Sequence, residues 1–262
     1  MSLSFPPRPD LADLPPADLA EGRRIATWRW WEVVVFTLLG FVIGVIAATP
    51  FFIALRPDAS GAVDAPGLLI SAVADLVMGG VLLLWLRARH PGWLGVIGWP
   101  APGRRFRELA VGAGFGFLLE VVAVVTGTVV AIAIEALTGE QVRSAEQISP
   151  DLRGWGIAIL VLMAVVVAPV VEEFVFRGLL FRSLADRYGF WVGAIGSAVP
   201  FGLTHVAVGA SVDLWALRIT LIVVGIVLAW IHWRRRNLMA NVVAHASFNL
   251  IGVVIILSGV GG

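Results

Sequence analysis

The stretch APVVEEFVFRGLLFR, residues 168–182, places two adjacent carboxylates and an arginine inside an apolar run. Ionised side chains are costly to bury in such surroundings unless they are paired. On a helix, Glu173 and Arg177 are four residues apart and share a face, so an ion pair is expected. Glu172 points about 100° away from that face. The spacing therefore predicts one structural carboxylate, Glu173, and one available for chemistry, Glu172.

The solvent around this run is predicted to be a lipid bilayer. Of 262 residues, 59% are hydrophobic and 14% are charged, whereas a typical soluble domain has about 25% charged residues. A membrane-crossing helix needs about 20 mainly apolar residues. We therefore predict an all-α fold, a polytopic membrane protein with about seven transmembrane helices. The predicted segments are 30–55, 67–87, 108–137, 155–184, 190–209, 214–233 and 238–258.

Arginines near the segment ends predict how the chain is oriented. They concentrate before the first segment and in the links that follow the second, fourth and sixth segments. The N-terminus is therefore predicted to be cytoplasmic and the C-terminus to be outside. The sequence WRRR at 233–236 is also expected to attract anionic membrane lipids.

Three regions are expected along the chain. Residues 1–28 are rich in proline, mixed in charge and without the apolar core of a cleavable signal peptide, so we predict a flexible cytoplasmic tail. Residues 29–140 carry N-terminal transmembrane helices, and residues 153–258 form a core that holds the polar motifs. Cysteine is absent, which excludes a disulfide framework and a thiol nucleophile.

Two further motifs place polar side chains at membrane depth, where an ionisable residue indicates a functional site. PFGLTH ends in His205, and Pro200 is expected to loosen the helix before it. HASFN puts His245 and Asn249 on one helix face. Together with Glu172, these side chains are predicted to form one buried polar site that opens toward the cytoplasm.

This set of side chains is typical of a hydrolase that acts on an acyl bond without a covalent nucleophile. A carboxylate and a histidine can activate water as a general base, and a second histidine and an amide can stabilise an oxyanion. Glu172, His205 and His245 are also plausible ligands for a divalent metal such as zinc, although no HExxH motif is present. The residues alone leave direct and metal-assisted water activation open.

The three motifs resemble those of the CPBP family, the CAAX proteases and bacteriocin-processing enzymes also called ABI. EEFVFR is similar to the family's EExxxR, FGLTH to FxxxH and HASFN to HxxxN, over about residues 155–255. The family consists of intramembrane endopeptidases and includes the type II CAAX prenyl proteases. The resemblance implies that Glu172 and His205 activate water and that His245 and Asn249 stabilise the oxyanion.

The same resemblance implies that Glu173 and Arg177 form a structural ion pair at the site. It implies a membrane-associated or lipidated peptide or protein as substrate, and a multi-pass protein in a bacterial plasma membrane. Family members are classed both as metalloproteases and as metal-independent glutamate proteases. We expect a metal-free mechanism without a cofactor, with zinc on Glu172, His205 and His245 as the alternative.

A transporter and a non-catalytic membrane protein are the alternatives to a protease. A proton-coupled transporter could use the same acids and histidines as carriers, but transporters usually show paired repeats, and here the polar set is confined to the second half of the chain. A non-catalytic immunity or scaffold protein could retain the motifs. No phosphate loop, dinucleotide fingerprint or basic-aromatic pattern indicates nucleic acid binding. Asp75 and Glu120 are expected to pair with Arg218 or with hydroxyl groups.

Overall fold

The computed structural model describes residues 25–55, 64–142, 152–204 and 211–258, which form helices joined by turns, with no strand among them. Six of the helices are long and apolar enough to cross a bilayer. The prediction of an all-α polytopic membrane protein is therefore confirmed. The helices are α1 Trp30–Leu55, α2 Ala65–Arg89, the short α3 Trp93–Val96, α4 Arg105–Thr138, α5 Trp155–Tyr188, α6 Phe190–Thr204, α7 Val212–Arg235 and α8 Leu238–Ser258.

Helix boundaries follow the apolar runs, and capping residues define two of the starts. Asp64 caps α2 by accepting a hydrogen bond from the Gly67 amide at 2.7 Å, and Ser211 caps α7 in the same way. The predicted fifth segment, 190–209, is described only in part. Its helix is apolar and is described from Phe190 to Thr204, and residues 205–209 lie outside the described part of the chain.

Helix α5 is not uniformly α-helical. It contains two π-helical stretches, Met163–Val167 and Glu173–Phe181. In a π-helix each backbone amide donates to the carbonyl five residues back instead of four. Such stretches are rare in proteins, and those that occur are frequently at functional sites. The wider turns change which side chains of α5 face the neighbouring helices, and the second stretch begins at Glu173, the second residue of the EEFVFR motif.

Small residues let the helices approach closely, as is common in membranes. Gly40 and Gly44 of α1 lie against α2, where a Cβ on Gly44 would come within 2.6 Å of the Ala74 carbonyl. Gly112 and Gly116 of α4 lie in the same way against α8. The second contact packs α4 closely against α8, the helix that carries His245.

Gly116→Ala is expected to destabilise the protein by about 1–3 kcal/mol, because the added methyl group would overpack the α4–α8 contact. The new Cβ would collide with Ser247 and lie 2.9 Å from the Ala244 carbonyl. The melting temperature in detergent measures the effect. Gly114→Ala is the matched control, since a Cβ there meets nothing within 4 Å. Equal effects of the two substitutions would contradict this packing.

The structure gathers the arginine-rich links at one end of the helical bundle. Arg235 Nη2 donates to both carboxylate oxygens of Glu108 at 2.9 Å and so joins α7 to α4. The Leu238 amide donates to the Gly98 carbonyl at 3.2 Å. This is the end that the arginine distribution predicts to be cytoplasmic.

Residues 25–28 belong to the folded body and not to a flexible tail. Ala26 and Trp28 are fully buried. The Ala26 amide donates to Asp186 at 2.9 Å, and the Trp28 indole donates to the Leu179 carbonyl at 3.1 Å. The predicted tail, 1–28, therefore extends at least four residues too far along the chain, because this segment packs against α5. Residues 1–24 lie outside the described part.

Candidate active site

Glu173 and Arg177 form the ion pair that their spacing predicts, with 2.9 Å between Oε1 and Nη1 and both side chains fully buried. Arg177 also donates from Nη2 to the Gly225 carbonyl of α7 at 3.2 Å. Its guanidinium carbon lies 4.1 Å from the centre of the Phe201 ring of α6, a cation–π contact. The arginine therefore joins α5 to both α6 and α7 in the centre of the bundle.

The Glu173 carboxylate has two more partners, both on α8. Its Oε2 accepts from Asn241 Nδ2 at 3.2 Å, and its Oε1 lies 3.1 Å from Nδ1 of His245. An ionised carboxylate can only accept hydrogen bonds, so this contact requires the proton to sit on Nδ1 of the ring. Glu173 therefore fixes the orientation of His245, and Nε2 is the ring nitrogen that faces away from Glu173.

Glu172 approaches the opposite nitrogen of the same histidine. Its Oε2 lies 3.7 Å from His245 Nε2, and its side chain is 21% exposed, against 0% for Glu173. The separation is longer than a direct hydrogen bond. The two adjacent glutamates thus hold one imidazole between them, and the more accessible glutamate is Glu172.

His205 follows Thr204, the last described residue of α6, and lies outside the described part of the chain. The preceding turn of α6 does reach the site: the Phe201 ring packs edge-on against His245, with 5.6 Å between ring centres. The meeting of His205 with Glu172 stays a prediction.

Asn249 lies on α8 one turn beyond His245 and is held from α5. Its Nδ2 donates to the Ala164 carbonyl at 2.7 Å. After the π-helical stretch Met163–Val167 the Ala168 amide donates to the Met163 carbonyl, five residues back. By the same spacing, the donor to the Ala164 carbonyl would be the amide of residue 169. That residue is proline and has no N–H, which leaves the Ala164 carbonyl for Asn249. An amide group carries two N–H bonds, so Asn249 keeps one for another acceptor.

Asn241 is a site residue that the motifs did not identify. It is fully buried, and its Nδ2 donates to the Leu228 carbonyl at 2.8 Å as well as to Glu173. The sequence does contain a signal for it. In NVVAHASFN, residues 241, 245 and 249 are spaced by four and share one helix face.

Arg218 of α7 contacts an aromatic ring. The guanidinium carbon of Arg218 lies 4.8 Å from the Trp215 ring centre, and its expected pairing with Asp75 or Glu120 stays a prediction. Among the described residues, no group of three His, Asp or Glu side chains is arranged to hold a metal. Of the three candidate ligands, Glu172 and His245 are close together, and His205 is outside the described part.

The fold and site define a class: a polytopic helical membrane protein with a buried carboxylate–histidine–amide cluster where α5, α6, α7 and α8 meet. Residues 154–251 match the family described as Type II CAAX prenyl endopeptidase Rce1-like. The resemblance to the CPBP family is therefore confirmed, and the matched residues contain the whole cluster.

Two curated relatives are similar to this chain at low identity. "Putative membrane peptidase YdiL" of Bacillus subtilis is 25% identical over 104 residues, which are 40% of this chain and 40% of that protein. "UPF0177 protein YxdF" of Lactococcus lactis is 29% identical over 87 residues, which are 33% of this chain and 44% of that protein. The chain thus spans less than half the length of these relatives. No solved structure matches it.

Proposed function

We propose that this protein is an intramembrane endopeptidase of the CAAX-protease type, which hydrolyses a peptide bond in a membrane-associated or lipidated peptide or protein. The observation that carries the proposal is the 3.7 Å approach of Glu172 Oε2 to His245 Nε2, beside the fully buried Glu173–Arg177 pair. The Rce1-like match over residues 154–251 supports the reaction class.

In the proposed mechanism Glu172, together with His205, removes a proton from the attacking water. The resulting hydroxide adds to the scissile carbonyl. Glu172, now protonated, then gives this proton to the leaving amine. Asn249 donates a hydrogen bond to the oxyanion from Nδ2, and His245 donates one from Nε2 when its ring is protonated on both nitrogens, because Nδ1 already carries the proton that bonds to Glu173. Both are oriented in advance, His245 by Glu173 and Asn249 by the Ala164 carbonyl. Preorganised donors of this kind stabilise developing charge without rearrangement during the reaction.

We expect cleavage to proceed without a bound metal. A divalent cation such as zinc would need three protein ligands, Glu172, His205 and His245, and would activate the water in place of a general base. Protein treated with EDTA or 1,10-phenanthroline should keep its cleavage rate, and elemental analysis should find no stoichiometric metal. Loss of activity that zinc restores, together with one bound equivalent, would assign the metal-assisted mechanism instead.

A comparison of membrane proteomes tests the function and identifies the substrate. Cells that express the wild-type chain are compared with cells that express Glu172→Gln, and new protein C-termini are mapped by mass spectrometry. A protease should generate C-termini that are absent with the variant. A proton-coupled transporter or a non-catalytic immunity protein would generate none, and that outcome would refute the proposal.

A further inference from the structure

The link between α2 and α4 forms a basic surface at the arginine-rich end of the bundle. We call residues 87–107 the basic link. Five of its residues are arginine and none is acidic. All five side chains are exposed: Arg87, Arg89, Arg104, Arg105 and Arg107. The next residue, Glu108, is buried and bonded to Arg235, so its charge is already paired within the protein.

The basic link is packed against the helices on its inner side. Val96 and Ile97 are buried, and the Gly98 carbonyl accepts a hydrogen bond from the first residue of α8, Leu238. Gly98 has a φ of 74°, and a Cβ there would collide with the Arg236 carbonyl, so only glycine suits the position. The arginines therefore project from a fixed surface that adjoins the start of α8.

Large apolar side chains project from the same link. Leu94 is 48% exposed, Trp99 45% and Phe106 89%. Phe106 stands between Arg105 and Arg107 in the sequence, at the beginning of a membrane-spanning helix. Exposed aromatic rings at helix ends are typical of the depth of lipid headgroups, where guanidinium groups can bind phosphate oxygens through two hydrogen bonds.

We propose that the basic link binds the anionic headgroups of phospholipids in the adjoining leaflet. Charge complementarity carries the proposal, since clusters of four to eight basic residues next to a membrane helix are typical of binding to anionic lipids. The exposed rings fit the depth of these headgroups. This lipid site is distinct from the cluster around Glu172 and does not depend on the proposed protease activity.

The test is lipid-dependent stabilisation of the purified protein in a neutral detergent. Phosphatidylglycerol should raise the melting temperature more than phosphatidylcholine does. In the triple variant Arg104→Gln/Arg105→Gln/Arg107→Gln, half-maximal stabilisation should need about tenfold more phosphatidylglycerol or more. The matching triple lysine variant keeps the charge and should retain most of the preference. Arg153→Gln, an exposed arginine just before α5, is the control that should behave as wild type.

A second measurement requires no change to the arginines. The chain has no cysteine, so a single spin label on Phe106→Cys reports on the link alone. In nanodiscs, replacing phosphatidylcholine by phosphatidylglycerol should reduce label mobility, and high salt should reverse the change. Equal effects of both lipids on the wild type, an unchanged preference in the glutamine variant, or equal stabilisation by inorganic phosphate would overturn the proposal.

Discussion

Glu172→Gln is expected to lower the rate of peptide-bond cleavage by about two to four orders of magnitude, the usual contribution of a general base. The amide has nearly the shape of the carboxylate but cannot accept the proton of the attacking water. Glu172 is 21% exposed and lies 3.7 Å from His245 Nε2, so the substitution removes a reacting group while the buried pair beside it stays intact. Single-turnover cleavage of a peptide substrate by the purified variant measures the effect.

The interpretation requires that the variant be folded. Its melting temperature in detergent should remain close to that of the wild type. Glu135→Gln is a suitable control, because Glu135 lies near the far end of α4 and is exposed, and it should change neither the rate nor the stability. A folded Glu172→Gln protein that cleaves at the wild-type rate would show that the general base is a residue other than Glu172.

The ion pair and the helix positions could be derived from the sequence because both follow from local rules. The length of an apolar run determines where a helix can cross the bilayer. A spacing of four residues, about one helical turn, places Glu173 next to Arg177. The site motifs could be grouped for a similar reason: polar residues are costly in lipid, so those that are present tend to meet.

The local rules were insufficient where α5 departs from α-helical geometry. Uniform helix geometry turns Glu172 away from the face of Glu173 and suggests separate surroundings for the two acids. In the structure, both reach the same imidazole, at Nδ1 and at Nε2. The π-helical winding that begins at Glu173 changes this register. Apolar pattern and motif spacing contain no direct signal for such a change.

Contacts between distant parts of the chain were also beyond the local rules. Trp28 follows a proline-rich polar stretch, and its burial depends on the Leu179 carbonyl, 151 residues later. The support of Asn249 by Ala164 joins residues 85 positions apart. Only Pro169 gives a partial indication in the sequence, because a proline inside a helix always leaves a backbone carbonyl without its usual donor.

The other large expected effect concerns stability. Glu173→Ala should destabilise the protein by about 3–5 kcal/mol, the usual cost of breaking a buried ion pair by removing one partner. Arg177 would then be a fully buried cation without a carboxylate partner on Glu173, left with contacts to the Gly225 carbonyl and to the Phe201 and Phe176 rings. Asn241 and His245 would lose their acceptor as well. Unfolding in detergent, followed by temperature or denaturant, measures the loss.

Two comparisons separate this cost from a general intolerance of α5 to substitution. Glu172→Ala changes the adjacent residue in the same way, yet it should cost far less stability, because Glu172 is partly exposed and lies outside the Arg177 pair. The double variant Glu173→Ala/Arg177→Met removes both charges. It should be more stable than Glu173→Ala alone, since no uncompensated cation remains in the interior. Two outcomes would contradict this role of the ion pair. One is a Glu173→Ala protein that unfolds at the wild-type temperature, and the other is a double variant that is less stable than Glu173→Ala. Either would show that the Glu173–Arg177 pair does not stabilise the packing of α5 against its neighbours.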